Sequence, residues 1–208
     1  MTAVIKAIKK PFLITLTLLV ICGLAYPLLI TGISQIFFPK QANGSLITVN
    51  GTAVGSTLIG QDFTDARFMK CRPSAVNYNT YTAKDKADGT YTGVGSGSKN
   101  YAPTNPELKK RVENDIAAFL KANPTVKKSD IPTDLLTASG SGFDPDISPA
   151  SAAVQIPALA KATGLSEATL KGIVKDHTTG KFLGIFGAET VNVLNVNLDI
   201  SKKLGLLK

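Results

Sequence analysis

An unbroken apolar segment dominates the N-terminal part of the chain. From Phe12 to Phe38, 27 residues pass without a single Asp, Glu, Lys or Arg. As a helix this segment would be about 40 Å long, against roughly 30 Å for the hydrocarbon core of a bilayer, so it can span a membrane with some tilt. A cleaved signal peptide is the alternative, but its apolar region is normally about 7–15 residues and ends in an A-x-A-like site. No such site follows, although Gly32 and Ser34 leave room for cleavage, and we predict a retained transmembrane helix.

The charges beside this segment predict its orientation. Three basic residues precede it, namely Lys6, Lys9 and Lys10. Lys40 is the only basic residue between the segment and Arg67. Because basic residues accumulate on the cytoplasmic side of a span, we expect a single-pass protein of the plasma (inner) membrane with a cytoplasmic N-terminus. The predicted parts are a cytoplasmic N-terminus, a transmembrane helix and an extracytoplasmic domain, at residues 1–11, 12–38 and 39–208.

Small and hydroxylated residues recur along one face of the predicted span. Gly23, Pro27, Thr31 and Ser34 are separated by four, four and three residues. This spacing places them on one side of a helix, with Leu, Ile and Val on the other sides. Such a stripe allows a second helix to approach closely in a bilayer, although Gly and Pro are also commoner in membrane helices in general. We interpret these four residues as a candidate contact with a membrane partner.

The polar pattern beyond the span predicts a hairpin, a long loop and a helix. Asn50-Gly51 separates two short runs that contain β-branched residues, the strongest short-range signal for a two-residue hairpin turn. The glycine-rich stretch from Thr82 to Pro106 predicts a long loop. Asn105 is a good helix cap, and the apolar residues that follow it recur with helical spacing up to Asn123-Pro124.

The rest of the chain predicts two more helices and a final strand. One helix should start at Ser148-Pro149 and run to Gly164 with a break at Pro157, and the next should follow Ser166 and end near His177. The segment 189–200 alternates polar and apolar residues with one slip, which predicts a strand with a bulge. Helices and strands without a βαβ rhythm predict a single mixed domain of the α+β (mixed α/β) class.

Charge and cysteine content exclude several classes of function. The formal charge is +8, of which +3 precedes the span, and the remainder is dispersed among acidic residues. Nucleic acid is therefore not an expected partner, because no basic stripe with interleaved aromatic residues occurs. Cys22 lies in the span and Cys71 in the domain, so they cannot pair with each other. With one histidine and no CxxC motif, we expect no zinc site.

The segment Leu135–Gln155 resembles an active site because it concentrates serines, aspartates and glycines. A nucleophile elbow needs G-x-S-x-G, and neither Ser139 nor Ser141 has that spacing. A serine triad would also need His177, which more simply caps the end of a helix. A membrane-anchored hydrolase that uses the loop 139–148 through Ser139, Ser141, Asp144 or His177 is the alternative function.

A calcium loop also fails in this segment. If it began at Asp144, its sixth position would be Pro149 instead of glycine and its twelfth would be Gln155 instead of glutamate. The favoured interpretation is structural, with a tight backbone path that leads into the helix at Ser148-Pro149. We predict no metal site here.

The segment Gly55–Phe63 has the glycine spacing of a phosphate-binding loop. Gln61 stands where that loop needs its lysine, and no hydroxyl residue follows it. A strand end followed by a glycine turn is the preferred interpretation, and Gln61 is kept only as a weak candidate for nucleotide contact.

Six segments in order, behind one N-terminal span, resemble the C subunits of bacterial Kdp potassium-transporting ATPases, the KdpC family. Together they cover nearly the whole chain. They are QANGSLI (41–47), GSTLIGQDF (55–63), RPSA (72–75), GSGSKNYAPTNPEL (95–108), DLLTASGSGFDPDISPASAAVQIP (134–157) and VNVLNVNL (191–198).

The resemblance implies a non-catalytic, single-span accessory subunit of a high-affinity potassium uptake complex. Its implied partners are a channel-like A subunit, a P-type B subunit that hydrolyses ATP, and a small F subunit. The family is described as a catalytic chaperone that raises the ATP affinity of the B subunit, so ATP is implied at family level, with no tightly bound cofactor. The implied signature positions, which serve structure or subunit contact, are Arg72, Pro73, Ser74, Ser139, Ser141, Asp144, Ser148 and Gln155.

Overall fold

The computed structural model describes residues 2–91 and 93–207, with residues 2–6 described by their backbone alone. The chain divides into two units, the first ending at Leu46 and the second beginning at Ile47.

The first unit consists of one long apolar helix and a short helix. Helix α1 (Thr2–Val20) continues through a π turn (Ile21–Ala25) into α2 (Tyr26–Phe37), and α3 (Pro39–Ala42) follows. Between Ala7 and Phe37, this is the one helix in the described part of the chain that is long and apolar enough to cross a bilayer. One N-terminal apolar helix followed by a mixed domain is the predicted arrangement, and it is confirmed.

The π turn has a local cause in Pro27. Proline has no N–H to donate to the carbonyl four residues earlier, and its ring would clash with that carbonyl, here of Gly23. Instead the Tyr26 N–H bonds to the carbonyl of Ile21, five residues back. The widened turn therefore keeps the helix continuous at the place where a regular α-helix would break.

The second unit opens with the predicted hairpin. Strands β1 (Leu46–Val49) and β2 (Thr52–Ser56) form a two-stranded sheet. Asn50 and Gly51 between them have φ of 51° and 77°. A type I′ turn requires positive φ at both central residues. The predicted two-residue hairpin turn at Asn50-Gly51 is therefore confirmed.

The predicted loop from Thr82 to Pro106 is wrong in its first part. Helix α4 (Ala83–Ala87) begins there, because Thr82 and Asp85 form a reciprocal capping box. Helix α5 (Pro106–Ala122) has its predicted cap, with the Asn105 side chain accepting from the Glu107 N–H.

The three helices that follow begin and end close to the predicted positions. Helix α6 (Pro149–Ala153) and helix α7 (Ile156–Thr163) are separated at Val154-Gln155, just before Pro157. Helix α7 ends at Gly164, which has a φ of 75°. Helix α8 (Glu167–Asp176) starts after Ser166, whose hydroxyl accepts from the Thr169 N–H. The chain also forms 3-10 turns at Asn77–Asn79, Lys128–Asp130 and Thr133–Leu135.

The predicted strand over residues 189–200 is wrong beyond Asn192. Strand β5 (Thr190–Asn192) is followed directly by helix α9 (Val193–Lys203). Asn192 ends the strand and caps the helix, since its side chain accepts from the Asn195 N–H. The slip in the alternation marks this change, because the buried residues beyond it recur every three to four positions, at Val193, Val196, Asn197 and Ile200.

A small antiparallel sheet and four helices enclose the core. Strands β3 (Asp146–Ile147) and β4 (Thr178–Thr179) pair with β5 on either side, in the order β3-β5-β4. The buried cluster draws on this sheet, on helices α6 to α9 and on one extended segment; its members are Met69, Ile147, Ala152, Ile156, Leu159, Leu170, Ile173, Val191, Val193, Val196 and Ile200.

Met69 reaches the middle of this core from a segment that belongs to no strand. Its exposure is 0%, and that of Asn197 on α9 is 2%. The Met69 N–H donates to the Asn197 side-chain oxygen at 2.8 Å, and the Asn197 amide nitrogen donates to the Met69 carbonyl at 2.9 Å. One side chain thus satisfies both backbone groups of a buried residue, as a neighbouring strand would.

We expect Asn197→Ala to destabilise the second unit by about 2–4 kcal/mol, because two buried backbone groups lose their partner. The melting temperature of the full chain in detergent, followed by circular dichroism, should fall by roughly 5–10 °C. Asn195→Ala, a half-buried position on the same helix, is the matched control. Equal effects of the two substitutions would contradict the role given to Asn197.

Candidate functional site

The signature residues lie where the segment 60–78 meets the loop 134–155. The Arg72 guanidinium donates from Nη1 to the Asp144 carboxylate at 2.8 Å and from Nε to the Thr137 carbonyl at 3.4 Å. Both charged side chains are about one-quarter to one-third exposed, at 25% and 30%. This ion pair joins two parts of the chain that are 72 residues apart in sequence.

Ser74 and Gly142 make a second contact between the segment and the loop. The Ser74 hydroxyl donates to the Gly142 carbonyl at 2.7 Å and accepts from the Tyr78 N–H at 3.0 Å. Gly142 has a φ of 75°, and a Cβ atom there would lie 2.5 Å from Cγ2 of Val76. Glycine is therefore required at position 142 both by the backbone conformation and by the space available.

The two serines that resembled nucleophiles form local turns. The Ser139 hydroxyl, which is buried, accepts from the Gly142 N–H at 2.9 Å. The Ser141 hydroxyl accepts from the Phe143 N–H at 3.1 Å, and the Ser141 carbonyl accepts from the Gly97 N–H at 2.9 Å. These bonds fix the loop and attach the glycine-rich stretch around Gly97 to it.

Asp134 is a residue that the sequence did not single out, and it organises the start of α6. Its carboxylate accepts from the Ser148 N–H at 2.8 Å, from the Ser148 hydroxyl at 3.1 Å and from the Ser151 hydroxyl at 2.5 Å. Burial alone would raise the pKa of Asp134, but the hydrogen bonds from Ser148 and Ser151 more than offset it and hold the pKa below its ordinary value. The only signal in the sequence was Ser148 as a helix cap, which says nothing about a carboxylate fourteen residues away.

Gln155 repeats the arrangement of Asn197 on the next residue of the same segment. Its Oε1 accepts from the Lys70 N–H at 2.8 Å, and its Nε2 donates to the Lys70 carbonyl at 3.2 Å and the Ser151 carbonyl at 3.1 Å. Gln155 is buried and lies between α6 and α7. This signature residue therefore holds the backbone that leads to Cys71 and Arg72.

Two half-buried groups, the Cys71 thiol and the Tyr78 hydroxyl, stand next to Arg72. Burial raises the pKa of the Cys71 thiol to about 12, so this thiol is a poor nucleophile at neutral pH. The Tyr78 hydroxyl donates to the Arg72 carbonyl, and burial also raises the pKa of Tyr78. Both groups therefore stay neutral at neutral pH.

Pro73 lies on the wall of a cleft of about 590 Å³. The opposite wall is the first half of α5, where Arg111 and Asp115 form an ion pair at 2.6 Å. Arg111 also donates to the Leu136 carbonyl at 3.0 Å, so its charge already has partners within the second unit.

Gln61 closes the turn after β2. Its amide donates to the Val54 carbonyl at 2.8 Å, and a Cβ atom on Gly55 would lie 2.4 Å from Gln61 Nε2. The next glycine, Gly60, donates its N–H to the Phe143 carbonyl at 2.7 Å. A glycine turn after a strand end is thus what the structure contains, and without a lysine these residues do not fit a phosphate cradle.

His177 follows the last residue of α8, as predicted, and pairs with a carboxylate. Its Nε2 lies 2.7 Å from Oδ2 of Asp199 on α9, and Lys202 Nζ lies 2.8 Å from the other oxygen of that carboxylate. Burial would raise the pKa of Asp199, but the hydrogen bonds from Lys202 and His177 lower it below its ordinary value. Within the described residues, the imidazole contacts Asp199 and makes no hydrogen bond to Ser139 or Ser141, which a serine hydrolase would require.

The four candidate contact residues of the apolar helix lie along its length. Gly23 is inside the π turn, and Pro27, Thr31 and Ser34 follow in α2. Gly23, Pro27 and Thr31 are exposed and Ser34 is half-buried. A Cβ atom on Gly23 would meet no described atom within 4 Å, so the helix has room for a close neighbour at this point.

The fold and site define a class of protein: one apolar helix that can cross a bilayer, followed by a mixed α/β domain whose conspicuous polar residues hold its own backbone. The family model described as K+-transporting ATPase, c chain (KdpC), matches residues 8–202. The Potassium-transporting ATPase KdpC subunit of Clostridium kluyveri is 73% identical over 206 residues, which cover 99% of this chain and 98% of the relative. The KdpC subunit of Clostridioides difficile is 60% identical over 207 residues, which cover 97% of this chain and 100% of the relative. The chain therefore belongs to the KdpC family, and its role in potassium transport is that of an accessory subunit.

We expect Gly142→Ala to destabilise the protein by about 2–4 kcal/mol, because an L-residue is strained at positive φ and the added methyl group meets Val76. Gly140→Ala is the matched control, since a Cβ atom there meets nothing within 4 Å. Thermal unfolding in detergent should show a clear loss for the first variant and a change within about 0.5 kcal/mol for the second. Similar losses in both variants would contradict the close contact at Gly142.

We expect Asp134→Asn to destabilise the protein by about 1–3 kcal/mol at pH 7, because hydrogen bonds to a charged acceptor are lost. The lowered pKa of Asp134 in the folded protein means that its stabilisation is present above the ordinary value of 3.8 and is lost as the pH falls through the folded-state pKa. The difference in melting temperature between wild type and variant should therefore shrink below about pH 4. Asp130→Asn, on an exposed 3-10 turn, is the control, and a difference that stayed constant with pH would exclude the carboxylate as its cause.

Proposed function

We propose that this chain is a non-catalytic subunit that supports the assembly and stability of a high-affinity, ATP-driven potassium uptake complex. The observation that carries the proposal is the division of the molecule into a helix whose described apolar side chains are exposed and a domain whose buried polar side chains are hydrogen-bonded. Every buried side-chain nitrogen or oxygen in the described residues has a hydrogen-bond partner. Such a domain is built to keep its shape, and the apolar helix is free to pack on other membrane helices.

The proposed partners are the channel-like A subunit, the P-type B subunit and the small F subunit, together with the lipid bilayer. The three lysines before the span support a cytoplasmic N-terminus and a domain outside the cytoplasm. A domain on that side would rest on the outer face of the A subunit, near the entry of potassium. Catalysis of ATP hydrolysis would then lie in the B subunit.

The proposal includes the higher ATP affinity of the B subunit that the family resemblance implies. The turn at 55–61 has no lysine and uses the Gln61 amide for its own backbone, so we place no nucleotide on it. We assign any such effect to contacts between subunits that favour the ATP-binding state of the B subunit.

We expect Gly23→Leu and Thr31→Leu to lower co-purification of this chain with the other subunits by roughly fivefold each, because added bulk on the stripe prevents close helix approach. Ala25→Leu adds similar bulk about half a turn away from Gly23 and should have little effect. The measurement is the ratio of subunits after affinity purification from membranes through a tag on the A subunit. Unchanged ratios in all three variants would sink the assignment of this face.

A further inference from the structure

A short hairpin between β4 and β5 exposes four large apolar side chains. We call Phe182, Leu183, Ile185 and Phe186 the apolar tip. Their exposures are 71%, 74%, 75% and 62%. Together they offer on the order of 500 Å² of apolar surface. The largest apolar patch on a typical monomer has a similar area, and such patches often have a function.

The backbone of the hairpin has a fixed shape. Phe182 and Phe186 exchange both backbone hydrogen bonds, at 2.9 Å and 3.0 Å. Leu183 has a φ of 52°, a conformation that is rare for a bulky residue, and Gly184 follows with a φ of 72°. The tip is therefore presented in one defined geometry, which lowers the entropic cost of docking.

We propose that the apolar tip docks into an apolar recess on another subunit of the potassium-transporting ATPase. This inference rests on the proposed function and names the surface of the domain that contacts the partner. A stable interface that acts alone buries roughly 800 Å² on each partner, which is more than the tip supplies. The tip therefore fits a second, weaker contact. The apolar helix of the same chain would already hold the chain in the assembly.

The alternative occupant is the bilayer surface, and the chemistry of the hairpin favours protein. Within the described part of the chain, the carbonyls of Leu183, Gly184 and Ile185 accept no hydrogen bond. Such groups are costly in hydrocarbon, whereas a protein recess can supply donors. Trp and Tyr are the aromatic residues enriched at membrane–water interfaces, and the tip holds neither of them.

Cysteine protection tests the proposal. Ile185→Cys in the full chain should react with a membrane-impermeant maleimide when the chain is alone in nanodiscs. In the assembled complex its labelling rate should fall by roughly tenfold or more, because a docked side chain reacts only when the contact opens. Lys171→Cys, on the exposed face of α8, should react equally in both states. Background from the native cysteines should be low, since Cys22 lies in the apolar helix and Cys71 is half-buried with a thiol pKa raised to about 12.

The outcomes separate this proposal from the one on which it rests. Co-purification with equal labelling of Ile185→Cys in both states would overturn the tip contact and leave the accessory role intact. Protection of Ile185→Cys in nanodiscs that contain this chain alone would identify the bilayer as the occupant and overturn the partner assignment. Failure to co-purify at all would overturn the proposed function instead.

A polar variant gives an independent measurement. The double substitution Phe182→Ser and Phe186→Ser should reduce retention of the chain in the complex during washing by several-fold, without changing the circular dichroism of the chain alone. Val94→Ser removes another exposed apolar side chain, 81% exposed, and is the matched control. Equal retention of both variants would overturn the proposal.

Discussion

The second unit depends on two side-chain amides that hold an extended segment where no strand pairs with it. Asn197 bonds to both backbone groups of Met69, and Gln155 bonds to both backbone groups of Lys70. Without these bonds, Met69 could not sit in the middle of the core, because its N–H and carbonyl would be buried without partners. The same two amides tie together α9, the junction of α6 and α7, and the N-terminal half of the domain.

The clamped segment leads directly to the signature residues. The side chains of Arg72 and Ser74 follow in this segment and bond to the loop. Arg72 pairs with the Asp144 carboxylate, and Ser74 donates to the Gly142 carbonyl. The loop is held in turn by Asp134, which fixes the start of α6 next to Gln155. The side chains of the serines and aspartates that suggest an active site therefore serve the structure of the loop, and each makes at least one hydrogen bond to the backbone or to another side chain. This explains why these residue types occur together without the spacing of a nucleophile or a metal loop.

The sequence predicted those turns and helix caps that depend on neighbouring residues. The Asn50-Gly51 turn and the caps at Asn105 and Ser166 were predictable because each depends on residues within a few positions. The amide contacts were not, since Asn197 and Met69 are 128 residues apart and Gln155 and Lys70 are 85 apart. Residues 189–200 show the limit most clearly. Their alternation satisfies a strand up to Asn192, and only the burial of Asn197 in the folded core reveals the helical period that follows.

The contrast between hydrogen-bonded buried polar side chains and exposed apolar side chains bears on the role of this protein. Within the described residues, the domain uses its buried side-chain nitrogens and oxygens to hold its own structure together. Large apolar side chains are exposed on the helix of the first unit, which can cross a bilayer, and on the hairpin between β4 and β5 in the second unit. Apolar surface of this kind is stabilised by contact with other apolar surface, and only a partner or a lipid phase can supply it. Both features fit the accessory role of a KdpC-family subunit, and the bonded polar side chains give the second unit its fixed geometry.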